Sequence, residues 1–211
     1  MLREKYRHRI DLQYLKNRGV KDLETEGLAL LVLDMQDFFI SPESHAFVPS
    51  APDLVPVIIE LAEEFEMHDL PVVYTRHLNT EENSRMMGRW WRDTIVGENP
   101  LSKIHSMFDT SWAGVIEKSQ YDAFYNTSLD ELLHQLGVKT VVITGVLTNL
   151  CCETTARSAF VRGYRVLMPV DGTATMNMEL HRATTANLAH GFSEPVSISP
   201  IIKSIRGMNA H

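Results

Sequence analysis

Residues 140–157 read TVVITGVLTNLCCETTAR, and this stretch decides the fold. A β-branched apolar run, Val141 to Thr144, meets Gly145; a short polar turn follows, and from Cys151 to Arg162 the pattern suits a helix. Strand, tight turn and helix are therefore expected in that order. Thr148 is the expected N-cap, its hydroxyl accepting a backbone N–H two or three residues on, which sets Cys151 in the first helical turn. There the unpartnered N–H groups and the helix dipole favour negative charge, so a Cys151 thiol is expected to ionise below its usual pKa of about 8.5. Unpaired cysteines are more often small buried hydrophobes. That reading is kept for Cys152, which precedes Ala156 and Ala159 at helical spacing.

Outward from this stretch, apolar strands alternate with amphipathic segments. Leu28 to Leu33 is a continuous apolar run ending in Asp34, as expected of a strand buried on both faces. Pro52 to Met67 carries Leu54, Val57, Ile58, Leu61, Ala62 and Phe65 at a period of 3.6, which predicts a helix. Pro71 to Thr75 is a second strand and Val115 to Glu117 a third, ending at Lys118. Ser128 to Leu136 is a helix closed by Gly137. Beyond the organising strand, Arg165 to Val170 is a strand, Met178 to His190 a helix and Val196 to Ile198 a last strand. Residues 77–104 are irregular, with Arg89, Trp90, Trp91 and Arg92 at their centre, a pattern expected of a lid or a subunit contact. The fold class expected is a three-layer α/β/α, doubly wound, mostly parallel six-stranded sheet. Residues 1–26 are a polar extension, and 27–211 a single domain.

Composition excludes several functions. The formal net charge of −7 and the scattered basic residues argue against nucleic acid and anionic membranes, leaving a small-molecule substrate as the expected partner. No apolar run is long enough to span a bilayer, and no G-x-G-x-x-G or P-loop pattern calls for a nucleotide. The two cysteines are sequence neighbours whose Cα atoms lie about 3.8 Å apart, too close for an ordinary disulfide, so a reducing, cytoplasmic location is expected. Taken singly, Asp34 reads as a turn cap and Lys118 as a solvated residue beside Glu117. Ligands of doubly wound sheets bind beyond the carboxyl ends of the strands, and Asp34, Lys118 and Cys151 all fall at such ends.

Three motifs carry a resemblance: LLVLDMQDFF at 30–39, EKSQYDAFYNTSL at 117–129 and GVLTNLCCETTARSAF at 145–160. Together they resemble the isochorismatase-like hydrolases, in particular the cysteine hydrolase branch with its nicotinamidases, carbamoylsarcosine amidohydrolase and ureidoacrylate hydrolases. The resemblance spans Leu28 to Ile202. It implies a catalytic Asp34, Lys118 and Cys151, a cis peptide between Val146 and Leu147, and an oxyanion hole formed by the backbone N–H groups of Leu147 and Cys151. It further implies cleavage of a C–N bond through a thioester, and self-association as a dimer or tetramer.

Phe39, Tyr121 and Phe124 lie beside these positions in sequence, and Trp91 sits in the irregular segment that could close over a planar substrate; all four are expected to contact substrate. Glu153 and Arg157 are expected to form a helix-surface ion pair; His181 and Asn187 read as structural. Nicotinamidases of this kind carry a metal-binding Asp-x-His after the second strand, where this chain has Thr75-Arg76-His77-Leu78-Asn79. His77 and His105 are a weak metal signal, so neither a metal nor another cofactor is expected, which counts against nicotinamide as substrate. Two alternatives stand beside the amidohydrolase: a vinyl-ether hydrolase of the isochorismatase type using Asp34 and Lys118 without the cysteine, and a non-catalytic binding protein.

Overall fold

The computed structural model describes residues 25–210; the expected N-terminal extension lies almost wholly outside them. Seven strands form one sheet: β1 (Leu28–Leu33), β2 (Val72–His77), β3 (Gly114–Lys118), β4 (Thr140–Val146), β5 (Arg165–Pro169), β6 (Thr173–Ala174) and β7 (Glu194–Val196). Their order is β3-β2-β1-β4-β5-β7, with β6 beside β4, and every pairing between them is parallel. The six-stranded sheet expected from the sequence is thus extended by β6, a two-residue strand too short to leave a periodic signal.

The apolar run of β1 is buried throughout because it has a core on each side. Leu28, Leu30 and Val32 pack with Val55, Ile58, Leu61 and Phe65 of the helix Val55–Glu66 and with Ile201, Ile202 and Ile205. Ala29, Leu31 and Leu33 face the other way, toward Leu129 and Leu133, Ala156 and Ala159, and Leu188, contributed by the helices Leu129–Gln135, Glu153–Val161 and Met178–Gly191. Two-residue alternation along one strand therefore produces the three layers.

Three local expectations are corrected. First, the helix after β4 begins at Glu153; Thr148–Cys152 forms a wider π-type turn. Thr148 does not cap it, because the Thr148 hydroxyl is bonded at 3.1 Å to both Thr173 Oγ1 and His181 Nδ1. Second, β7 stops at Val196, and Ile198 opens a helix to Arg206 that buries Ile198, Ile201, Ile202 and Ile205. Pro200 looks like a breaker in sequence, but it sits in the first turn, where no intrahelical partner awaits its missing N–H. Third, β2 reaches His77, so the irregular segment starts at Leu78 and contains the short helices Glu81–Ser84 and Met87–Trp90, neither with a buried residue.

Strand order reverses between β1 and β4, the point where such sheets open a ligand crevice. The two strands approach closely there. Gly145 pairs with Leu33 at a φ of +105°, and a Cβ on Gly145 would fall 2.1 Å from the Leu33 carbonyl oxygen. We expect Gly145→Ala to cost more than about 3 kcal/mol. Thermal unfolding should show Tm lowered by roughly 10 °C, or soluble protein should be lost; an unchanged Tm would show that β1 and β4 can separate freely at this point.

Candidate active site

Asp34 follows β1 in a left-handed conformation, φ 52°. Thr75 on β2 fixes it from two directions, accepting the Asp34 backbone N–H at 3.1 Å and donating its hydroxyl to Oδ1 at 2.6 Å. Lys118 ends β3, in register with His77. Its ammonium lies 2.7 Å from Asp34 Oδ2, and both side chains are fully buried. The same Nζ donates to the Gln120 carbonyl at 2.9 Å, to His77 Nδ1 at 3.2 Å and to Cys151 Sγ at 3.4 Å. Asp34, Lys118 and Cys151, expected together from the sequence, are thus gathered around one ammonium.

Burial opposes charge on every member of this group. It raises the Asp34 carboxyl, but the charges of Lys118 and His77 and hydrogen bonds from Cys151 and Lys118 outweigh it and hold the group below its usual 3.8. Burial likewise lowers Lys118, and Asp34 and Cys151 more than restore it. The pair is ionised. Cys151 is different: burial and the neighbouring Asp34 carboxylate both push its thiol up, and Lys118 only partly offsets them. The lowered thiol pKa expected from the helix start is therefore corrected. The turn keeps Cys151 out of the first turn of an α-helix, and the nearest full charge besides the ammonium is negative. Cys152 is fully buried and also raised, first by burial.

His77, weighed in the sequence only as half of a weak metal signal, is a site residue. It is 3% exposed, and burial followed by the Lys118 charge lowers its pKa to about 4, so the ring is neutral. Its Nε2 meets Asn79 Oδ1 at 3.0 Å. Gln36, fully buried, holds its backbone from both sides, accepting His77 N–H at 2.7 Å and donating to the His77 carbonyl at 3.1 Å. The available signal was Thr75 and His77 themselves, polar residues two apart and so on one face, at the carboxyl end of a strand that opens Val72-Val73-Tyr74. His105 has a different partner, Asp37 Oδ1 at 2.6 Å.

Ligand atoms of Asp34, His77 and Cys151 lie within 4.8 Å of one another, a spacing that a metal ion could bridge. They do not fit one. Lys118 Nζ already stands among them as the cation, and the remaining ring nitrogen of His77 is taken by Asn79.

The four expected substrate contacts separate. Trp91, 42% exposed, donates its indole N–H to the Tyr121 hydroxyl at 2.6 Å, so the irregular segment touches the loop after β3. Phe39 is half-buried against Phe38. Phe124 is core: its ring stacks on Tyr164 and carries the Arg162 guanidinium 4.7 Å from its centroid. The Val146–Leu147 peptide is cis, and Leu147 is buried at the start of the turn that ends with Cys151 and Cys152. Glu153 and Arg157 pair at 2.7 Å, and His181 is buried against Thr148.

Residues 28–199 match the isochorismatase domain. The chain belongs to the isochorismatase family. Within that family it is 38% identical to Nicotinamidase 3 of Arabidopsis thaliana over 192 residues, 89% of this chain and 93% of the relative. Its fold matches a cysteine hydrolase from Pseudomonas syringae pv. phaseolicola 1448A with a TM-score of 0.80 at 24% identity, over 89% of this chain and 96% of the other. It also matches a pyrazinamidase of Pyrococcus horikoshii, solved in complex with zinc, with a TM-score of 0.73 at 26% identity over 81% and 99% of the two chains. Among the described residues, no helix of this family member is long and apolar enough to cross a membrane.

The raised thiols make a pH prediction. Iodoacetamide should alkylate Cys151 slowly at pH 7, and the rate should still be climbing at pH 9, because the thiolate is the reactive form and burial with Asp34 holds it back. Cys151 should react before the fully buried Cys152. A rate that levels off near neutral pH, followed by peptide mass mapping, would contradict this electrostatic account.

Proposed function

We propose that this hydrolase is a metal-independent cysteine amidohydrolase that cleaves the C–N bond of a small amide, ureido or carbamoyl compound through a thioester. The observation that carries the reading is the single Lys118 ammonium shared by an ionised Asp34 and the Cys151 thiol at the mouth of the strand reversal.

A neutral thiol suits this chemistry when its proton leaves as the bond forms. Cys151 Sγ attacks the carbonyl carbon while Asp34 takes the thiol proton, and negative charge moves from sulfur to the carbonyl oxygen. The backbone N–H groups of Leu147 and Cys151 receive that oxyanion; one such donor is worth about 3 to 4 kcal/mol. Asp34 then returns the proton to the departing nitrogen, the C–N bond breaks, and ammonia or an amine leaves. Water attacks the thioester carbonyl with Asp34 again taking a proton, which releases a carboxylic or carbamic acid and restores the thiol. Lys118 keeps Asp34 ionised at the start of each half-reaction. The free acid would otherwise have no capacity to accept.

The hydrogen bond between Trp91 and Tyr121 supports their role as a cover over a planar substrate, with Phe39 as a further wall. Phe124 is not part of this proposal, since its ring is already covered. Exposed Met86, Trp90 and Met107 support self-association of this cytoplasmic enzyme. The nicotinamidase relative makes nicotinamide the first amide to test, against the expectation drawn from the missing Asp-x-His, followed by ureido and carbamoyl compounds.

The test is ammonia release from that panel. Cys151→Ala should lower kcat by roughly a thousandfold or more, whereas Cys152→Ala should keep kcat within a few-fold of the parent. A Cys151→Ala enzyme that turns over its best amide at the parent rate would remove the thiol from the mechanism.

A further inference from the structure

The Lys118 ammonium has three protons and four acceptors around it: Asp34 Oδ2, the Gln120 carbonyl, His77 Nδ1 and Cys151 Sγ. Which acceptor receives which proton decides where Nζ sits. An ammonium cannot accept, so its 3.2 Å contact with His77 requires Nδ1 to be the bare nitrogen and Nε2 to carry the ring proton. Asn79 enforces that tautomer. Its Nδ2 donates to the Ser119 carbonyl at 2.9 Å, which turns Oδ1 toward His77 Nε2 at 3.0 Å. The Ser119 carbonyl belongs to the residue after Lys118. The chain of donors therefore closes on itself: Lys118 to His77, His77 to Asn79, and Asn79 to the backbone beside Lys118.

All three side chains are nearly inaccessible, at 2%, 3% and 4% exposure for Lys118, His77 and Asn79. The His77 backbone is clamped by Gln36 as well, so the imidazole is a fixed acceptor. Among the groups that bind Nζ, it is neutral and makes no contact with Sγ that would compete for the thiol proton.

Resting on the cysteine amidohydrolase reading, we propose that His77, with its tautomer set by Asn79, is a positioning residue that anchors the Lys118 ammonium between Asp34 and Cys151. Burial and the Lys118 charge, which hold the His77 pKa near 4, keep the anchor neutral through the range in which such an enzyme works.

Two measurements test this, the first without any substrate. Nitrogen-15 spectra of the histidine rings in the full-length protein, with His77 assigned by its disappearance in His77→Asn, should show the Nε2–H tautomer. No titration of that ring should appear between pH 8 and pH 5. Lys118→Met removes a positive neighbour and leaves the Asp34 carboxylate, so the His77 ring should then titrate at higher pH than in the parent. A parent ring protonated on Nδ1 would overturn the proposal, whatever becomes of the thioester mechanism.

The second is the pH dependence of kcat on the best amide. His77→Leu removes the acceptor, and kcat should fall by on the order of 10- to 100-fold, the scale of a lost hydrogen bond to a buried charge, with KM within a few-fold. An ammonium no longer anchored between Asp34 and Cys151 shields Asp34 less, so the acid limb should move to higher pH and the plateau narrow. His77→Asn places an amide oxygen near Nδ1 and should restore the width. Should His77→Leu fail to fold, Asn79→Ala, which unlocks the tautomer, should narrow the plateau in the same sense. Unchanged limbs in the folded acceptor-less variant, or equal narrowing in His77→Asn and His77→Leu, would overturn the proposal while leaving the Cys151 result standing.

Discussion

Everything at the strand reversal depends on one buried ion pair, Asp34 with Lys118 at 2.7 Å. Removing two such charges from water costs several kcal/mol per ion, and mutual attraction repays it only when the other lone pairs and protons are also satisfied. The surroundings meet that condition. Thr75 fills the second carboxylate oxygen, and the Gln120 carbonyl and His77 take further ammonium protons. Gln36, Asn79 and the register of β2 with β3 exist in this arrangement to hold those partners. Loss of one member of the pair leaves an uncompensated buried charge, typically a 3–5 kcal/mol penalty.

Burial first, and then the pair, explain why the thiol at rest is neutral. An ammonium alone beside Cys151 would favour a thiolate, but this ammonium is already committed to a carboxylate, which repels charge on sulfur. Net charge at the centre stays close to zero, as a buried site demands. In the proposed mechanism, the hydrogen bond between Cys151 and Asp34 is the route by which the thiol proton would leave as charge develops on the substrate oxygen. Low thiol pKa and an oxyanion site are alternative ways to lower the same barrier, and the proposed mechanism relies on the second because the thiol here is raised.

The parts of the fold legible in sequence were those whose signal is local. Continuous apolar runs at Leu28–Leu33 and Val141–Ile143 announced buried parallel strands, and Asp34, Lys118 and Cys151 stood out because each breaks or follows such a run. The π-type turn after Leu147 was not legible, since Thr148 is drawn away from capping by Thr173 and His181, both distant in sequence. The helix from Ile198 was missed because its first residue closes the short apolar run read as the last strand, and the electrostatics of Cys151 because they depend on two charges more than thirty residues away. His77 and Asn79 looked like a failed metal motif. Their role emerges only when β2 and β3 are set in register, which places His77 beside Lys118.

Under the proposed mechanism Cys151, and no other group at this centre, bonds to the substrate carbon. Acid-quenching the enzyme within its first turnover of its best amide, and mapping peptide masses against the ammonia already released, tests it most directly. The account predicts the mass of the acyl group on the peptide containing Cys151, in proportion to the ammonia, and its loss on treatment with hydroxylamine. One equivalent of ammonia released with the acyl mass on another residue would contradict it.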